Sequence, residues 1–179
     1  AKWMLTLLLP YLAFGVFLAV NAFARHEISH FFMYGFVIVL MIAATFASRG
    51  NPARMLLYFA LCGIAALLLG MVTTGMTSVV AFISVGLFCS TMWPCIFTLA
   101  ITGLGKHTNQ GSSLLIMMIM GGGVVSITQG AIADSIGIHY SFVIGVLCFA
   151  YLAFYAMAAR RALQKQGIDL DALTAQGGH

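Results

Sequence analysis

The chain has 179 residues, of which 62% are hydrophobic and only 7% are charged, and its mean hydropathy is +1.05. Because an ordinary soluble domain carries about a quarter charged residues, this composition excludes a soluble domain and indicates a membrane-embedded chain. The formal net charge of +4 comes from basic residues that stand singly in short loops, which argues against a nucleic-acid-binding patch.

The cysteines lie inside apolar segments and show no CxxC spacing. We interpret them as small buried apolar residues rather than as disulfides or metal ligands, and we expect no cofactor. They are Cys62, Cys89, Cys95 and Cys148. The chain begins with Ala1 rather than methionine, which suggests a piece of a longer protein.

Six apolar segments of membrane-spanning length are predicted along the chain. Each has about 18 to 25 residues, which suits a helix crossing a hydrocarbon core of about 30 Å. They are residues 3–24, 31–48, 55–75, 78–102, 112–133 and 140–159. The connections are short, including a tight turn predicted at Met76 and Thr77, so neighbouring helices are antiparallel. We therefore predict an all-α bundle over residues 1–160 and a polar, mobile cytoplasmic tail over residues 161–179.

The loop charges predict the orientation. The basic residues on one predicted side are Lys2, Arg49, Arg54, Lys106, Arg160, Arg161 and Lys165, whereas the other side has only Arg25. Since cytoplasmic loops carry the excess of Lys and Arg, we expect both termini in the cytoplasm, and a multi-pass protein of the plasma membrane, which is the inner membrane in bacteria.

Polar side chains are concentrated in the fourth and fifth spans, whereas the third and sixth are apolar all round and are predicted to be peripheral. Ser90, Trp93 and Phe97 share one face of the fourth span because they are spaced i, i+3, i+7. An indole beside hydroxyls, here Trp93 with Ser90 and Thr98, is a good platform for a sugar ring. The alternative is that Trp93 only fills a helix interface. Pro94 allows a kink in this span.

The fifth span offers a possible hinge and one isolated amide. Gly121, Gly122 and Gly123 permit a hinge, although close helix packing explains such small residues equally well. Gln129 lies several residues inside the span, where an unpaired amide is costly; it either faces a cavity or forms a structural hydrogen bond between helices. Asp134 stands at the membrane edge, where we expect a capping or gate contact.

The order of these motifs resembles a known family. Over residues 51–158 the chain is similar to the C-terminal half of a sugar permease of the major facilitator superfamily, in its fucose and glucose/galactose porter family. The segments that carry the resemblance are residues 92–101, 103–108, 111–113, 121–123 and 129–134.

The resemblance implies two inverted three-helix repeats equivalent to helices seven to twelve of a twelve-helix transporter, with sugar bound near the midplane between the halves. Spans one and four would then line the cavity, and spans three and six would be peripheral. It also implies a sugar:proton symporter whose proton-coupling carboxylates belong to a complementary N-terminal half. We expect a small-molecule sugar and membrane lipid as partners, together with that half or a second copy of the chain.

Two alternatives stay open. His26, Glu27 and His30 fit HExxH, which on a helix binds zinc with two histidines and uses the glutamate as general base. That reading would make the chain an intramembrane metalloprotease, but the motif falls in a predicted loop, where a solvated polar segment explains it, so we expect no enzyme. The other alternative is a half-domain or fragment that does not transport.

Overall fold

The computed structural model describes residues 32–168 and residue 170, and the elements in this part of the chain are helices joined by short turns. The α-helices are α1 (Phe32–Ser48), α2 (Pro52–Val72), α3 (Met76–Ile101), α4 (Thr108–Met117), α5 (Gly121–Ile136), α6 (Ile138–Ser141) and α7 (Val143–Lys165). Two 3₁₀ turns, Gly105–His107 and Met118–Met120, precede α4 and α5.

Within the described residues, four helical stretches are long and apolar enough to cross a membrane. They are Pro52–Val72, Met76–Ile101, Gly105–Ile136 and Ile138–Lys165. A shorter apolar stretch, Val37–Ser48, lies in the predicted second span. The predicted first span, residues 3–24, lies outside the described part of the chain, so six spans stay a prediction whereas a multi-pass helical protein is confirmed.

Local chemistry explains where α2 begins. The Asn51 side chain accepts hydrogen bonds from the backbone N–H groups of Ala53 and Arg54, at 3.0 and 3.4 Å. This satisfies two of the donors that a helix N-terminus leaves unpaired, and Pro52 suits the first helical position. The helix therefore begins three residues before the predicted start of the span.

The turn between α2 and α3 lies at residues 73–75, so the turn predicted at Met76 and Thr77 is wrong; both residues are helical. Gly75 has φ = +71°, a conformation that side chains with a Cβ disfavour, which explains why the chain reverses there. The Ser78 hydroxyl donates to the carbonyl oxygen of Gly70 at 2.7 Å and fastens the hairpin.

Helix α2 is the central helix of the described bundle, with α3 and α7 packed on it most extensively and α1 less so. Its Leu56, Phe59 and Ala60 are fully buried, and the Phe59 ring lies 6.1 Å from that of Phe88 on α3. This face therefore packs against the bundle, whereas Leu61, Leu68 and Leu69 on the rest of the helix are exposed, so the peripheral position of the span stays a prediction. The uniform apolarity of the segment concealed its packing, because a buried helix and a lipid-facing helix have the same composition.

In the C-terminal region, the fifth span and the last helix differ in how they pack against the described chain. The stretch Gly105–Ile136 contains no residue buried against the rest of the described chain. Helix α7 continues to Lys165, so the domain boundary predicted at residue 160 falls inside a helix. Leu163 and Leu170 are buried, which means that the beginning of the predicted polar tail contributes to the core.

Candidate functional site

Helix α3 has one buried face and one open face. Phe88, Met92 and Leu99 are buried against α2 and its neighbours, whereas Ser90 and Trp93 lie on the opposite side. The Trp93 side chain is 42% exposed, a large fraction for an indole inside a 26-residue apolar helix. Phe97 is partly exposed on the same side. The predicted shared face is therefore present, and it is turned away from the described bundle.

A cavity of 510 Å³ lies beside this helix, and Ser90, Pro94 and Thr98 line it one helical turn apart. Its other lining residues on α3 and the following turn are Thr91, Cys95 and Thr102, and the second wall consists of Gly50, Pro52, Met55 and Leu170. The structure thus brings two of the predicted sugar-contacting hydroxyls into one cavity, next to the proline. Trp93 and Phe97 do not line it and stand on the adjacent part of the helix surface.

The hydrogen-bonding capacity of this region is only partly used. The Ser90 hydroxyl donates to the carbonyl oxygen of Leu87 at 2.7 Å, and its oxygen can still accept. Within the described residues, the Thr98 hydroxyl and the Trp93 indole N–H form no hydrogen bond. Pro94 has no N–H to donate to the carbonyl oxygen of Ser90. Donors and acceptors are therefore available to a polar solute beside an apolar helix.

A second cavity, of 380 Å³, is a poor candidate for a polar solute. It lies between α1, α2 and α3, and its walls are almost entirely apolar, including Leu69, Val80 and Phe88. The one serine in its wall, Ser84, already donates to the carbonyl oxygen of Val80 at 2.6 Å. A carbohydrate would lose its hydrogen bonds to water here without replacing them.

Gln129 is partly buried on α5, and its amide forms no hydrogen bond within the described residues. Its position relative to Ser90 and Trp93 along the path follows from counting residues. Ser90 lies 11 residues before Ile101 and Gln129 lies 24 residues after Gly105, so straight antiparallel helices at 1.5 Å per residue would separate them by about 20 Å along the axis. For Trp93 the same arithmetic gives about 24 Å.

The predicted hinge coincides with an irregularity of the fifth span. The 3₁₀ turn Met118–Met120 interrupts the helix directly before Gly121, Gly122 and Gly123. A Cβ built at any of these three glycines meets no atom within 4 Å among the described residues. A 3₁₀ stretch inside a helix often marks a hinge, and the hinge role of the three glycines stays a prediction.

Asp134 is exposed in the last turn of α5 and forms no hydrogen bond or ion pair within the described residues. Its side chain does not cap the helix there. Instead the backbone N–H of Gly137 donates to the carbonyl oxygen of Ala133 at 2.9 Å, with Gly137 at φ = +91°. The expected gate contact stays a prediction.

The HExxH motif, with His26, Glu27 and His30, lies outside the described residues. In the described part of the chain, no group of three or more His, Cys, Asp or Glu side chains is placed to hold a metal ion.

Sequence reasoning missed the second wall of the 510 Å³ cavity. Leu170 reaches it from beyond the end of α7. The available signal was the pair Ile168 and Leu170, two apolar residues two positions apart in the segment predicted to be a polar tail.

Three known proteins that are similar in sequence to this chain are sugar transporters. The chain is 38% identical over 140 residues to the glucose/galactose transporter of Brucella abortus biovar 1 (strain 9-941). The aligned residues are 78% of the chain and 34% of that protein. It is 36% identical over 110 residues to the L-fucose-proton symporter of Escherichia coli (strain K12), covering 61% of the chain and 25% of the symporter. A putative glucose/galactose transporter of Helicobacter pylori (strain ATCC 700392 / 26695) is 28% identical over 137 residues, which are 72% of the chain and 34% of that protein.

The chain spans about a quarter to a third of the length of these curated relatives. No protein-family profile and no solved structure matches it. The chain is therefore homologous to a part of these bacterial sugar permeases, which confirms its resemblance to the fucose and glucose/galactose porter family.

Proposed function

We propose that this chain is one part of a secondary transporter that carries a hexose or deoxyhexose across the bacterial inner membrane, with both termini in the cytoplasm. The names of its relatives support a sugar as the transported molecule. Because the chain corresponds to about a quarter to a third of their length, transport requires a partner. That partner is a complementary six-helix half or a second copy of this chain.

The observation that carries the proposal is the open polar side of α3. Polar side chains inside membrane helices are destabilising unless protein or water pairs with them. Ser90 and Thr98 line a 510 Å³ cavity there, where water can reach them. Trp93 presents a large aromatic surface close by. We propose that the Trp93 indole stacks on the apolar face of the sugar, that Phe97 extends this surface, and that the two hydroxyls hydrogen-bond to the sugar.

We propose that Gln129 does not share one sugar-binding site with Ser90 and Trp93. An axial offset of about 20 Å from Ser90 exceeds the length of a single monosaccharide several-fold. We therefore propose that Gln129 contacts the sugar at another level of the path, nearer the end of α5, and not at the same time as Trp93. Asp134, in the last turn of that helix, makes a contact of the gate in this proposal.

Rocking of the two halves would open the site alternately to each side. Pro94 in the wall of the cavity, and the 3₁₀ turn before Gly121, Gly122 and Gly123, are the positions where α3 and the fifth span can bend.

Proton coupling, which the name of the Escherichia coli relative suggests, requires a titratable group that this part of the chain does not supply inside the membrane. Asp134 is the one acidic residue among residues 32–168, and it lies at the end of a span. We propose that the coupling carboxylate belongs to the partner half.

Co-reconstitution tests the proposal. The chain is placed in vesicles together with the remaining part of the Brucella abortus relative, and entry of labelled glucose, galactose and fucose is measured with and without an inward proton gradient. We expect uptake of at least one sugar that exceeds uptake by either piece alone and that Trp93→Ala reduces. Uptake that never exceeds that of the separate pieces, while both insert correctly, contradicts the function.

A further inference from the structure

Helix α7 carries an exposed stripe that changes from apolar to basic along its length. Leu147, Tyr151 and Phe154 are 65%, 67% and 63% exposed. Arg161 and Lys165 continue the same face at the C-terminal end, and both are exposed. The spacing is i, i+4, i+7, i+14, i+18, which keeps all five on one side of a helix.

A groove on the surface of α7 lies where the apolar part of this stripe meets the basic part. It is lined by Phe154, Met157, Ala158, Arg161, Ala162 and Lys165. One end of the groove is therefore a hydrocarbon surface with an aromatic ring, and the other end holds two cationic side chains one helical turn apart. A ligand that fits both ends is an amphiphile with a negatively charged head.

We propose that this face of α7 is a binding site for an anionic phospholipid of the surrounding membrane. Arg161 binds the phosphate through the fork of its guanidinium group, and Lys165 adds a second charge. One acyl chain lies along Met157, Phe154 and Tyr151. The proposal concerns a lipid ligand and is independent of the transported sugar.

The dimensions agree with a membrane lipid. Ten residues separate Arg161 from Tyr151, which is about 15 Å along a helix. That distance is half of a hydrocarbon core of about 30 Å, the depth of one leaflet. With Arg161 at the level of the phosphates, the exposed apolar stripe thus covers the leaflet that provides the lipid.

No carboxylate among residues 32–168 competes for these cations. Asp134, the single acidic residue in that range, precedes α6 and α7 and stands at their opposite end. Glu27, Asp169 and Asp171 lie outside the described residues. A lipid phosphate therefore supplies charge that the described neighbourhood of Arg161 and Lys165 lacks.

Lipid retention by the complete 179-residue chain tests the site. The protein is purified in a mild detergent and equilibrated with equal amounts of dioleoylphosphatidylglycerol and dioleoylphosphatidylcholine, and the bound lipids are counted by native mass spectrometry. Because it removes both charges that contact the phosphate, the double substitution Arg161→Gln and Lys165→Gln should lower the preference for the anionic lipid by about 30-fold.

Arg160→Gln is the matched control, because it removes the same charge one position away on another face of α7. We expect it to leave the preference within about twofold, because Arg160 does not line the groove and makes no direct contact with the phosphate. The charge-conserving double substitution Arg161→Lys and Lys165→Arg should retain most of the preference, which separates loss of binding from misfolding.

Two results would overturn the proposal. If Arg160→Gln and Arg161→Gln reduce the preference equally, the attraction is a diffuse surface effect and no site exists. If an excess of inorganic phosphate releases the lipid completely, the face binds a free anion and its apolar stripe contributes nothing.

Discussion

His139 joins two helices that are distant in the sequence, because its Nε2 lies 2.8 Å from the carbonyl oxygen of Met71 in the last turn of α2. A carbonyl oxygen only accepts, so this nitrogen donates the hydrogen bond. The contact supplies a partner to one of the carbonyls that a helix C-terminus leaves unpaired. The edge of the imidazole also meets the Phe82 ring of α3, with 5.6 Å between ring centroids.

We expect His139→Ala to destabilise the bundle by about 1 to 2 kcal/mol, from one hydrogen bond and one aromatic contact. The measurement is denaturant unfolding in detergent micelles, followed by circular dichroism. His107→Ala is the control: His107 is an exposed histidine whose Nδ1 lies 3.2 Å from the Gln110 side-chain oxygen, and its loss should cost less than about 0.5 kcal/mol. Equal effects of the two substitutions would show that the His139 contact does not hold the helices together.

Gly63 determines how closely α2 and α7 approach. A Cβ at this position would lie 2.5 Å from the ring of Phe149, which is itself buried. We therefore expect Gly63→Ala to separate the two helices and to cost about 1 to 3 kcal/mol of unfolding free energy.

Gly86→Ala is the control for Gly63, because Gly86 is also inside a helix but a Cβ there meets nothing within 4 Å among the described residues. Its substitution should be neutral or stabilising by up to about 1 kcal/mol, since alanine is the better helix former. Combining Gly63→Ala with Phe149→Leu should cost less than the sum of the single changes, because the two residues touch. Strict additivity would contradict the proposed clash.

The sequence predicted the helical membrane class and the position of four long helices, because apolar length and turn residues carry that information locally. It did not predict which helix is central. The apolar run of α2 looks the same whether Leu56 and Phe59 face lipid or α3, since both surroundings are hydrocarbon. The length of the fifth helical stretch was also hidden, because the helix begins at Gly105, inside the segment predicted to be a polar loop, and continues to Ile136.

Water reaches the open side of α3 if the proposed site is correct. In a background with the native cysteines replaced by alanine, we expect Ser90→Cys and Thr98→Cys to react with a water-soluble thiol reagent at least about tenfold faster than Leu68→Cys. A thiol needs water to form its reactive thiolate, and the exposed side chain of Leu68 is expected to face lipid. Sugar should slow the labelling of both cavity positions. Equally slow labelling of all three cysteines would show that water does not reach this side of α3, which contradicts the proposed sugar site.

Gly122 tests the hinge separately from the packing. Since a Cβ at Gly122 meets no neighbour within 4 Å among the described residues, Gly122→Ala should leave stability unchanged or raise it by up to about 1 kcal/mol. In the co-reconstituted transporter we expect the same variant to lower the maximal rate of sugar uptake about two- to fivefold with little change in KM, because a stiffer helix slows opening without altering the site. An unchanged rate would mean that the 3₁₀ turn at residues 118–120 does not bend during transport.

Trp93 and Gln129 should act independently on transport. In the co-reconstituted protein, we expect Trp93→Ala to raise the KM for sugar about tenfold through loss of stacking. Gln129→Ala should weaken uptake about fivefold through loss of one hydrogen bond. Because the proposed path places Gln129 about 20 to 24 Å along the helix axis from Ser90 and Trp93, the free-energy effects of the two substitutions should add to within about 0.5 kcal/mol. Ser90→Ala combined with Trp93→Ala is the contrasting pair, since residues on adjacent turns that bind one sugar should show coupling. Coupling between Trp93 and Gln129 as strong as in that pair would mean that both contact the same bound molecule, and the two-level path would have to be abandoned.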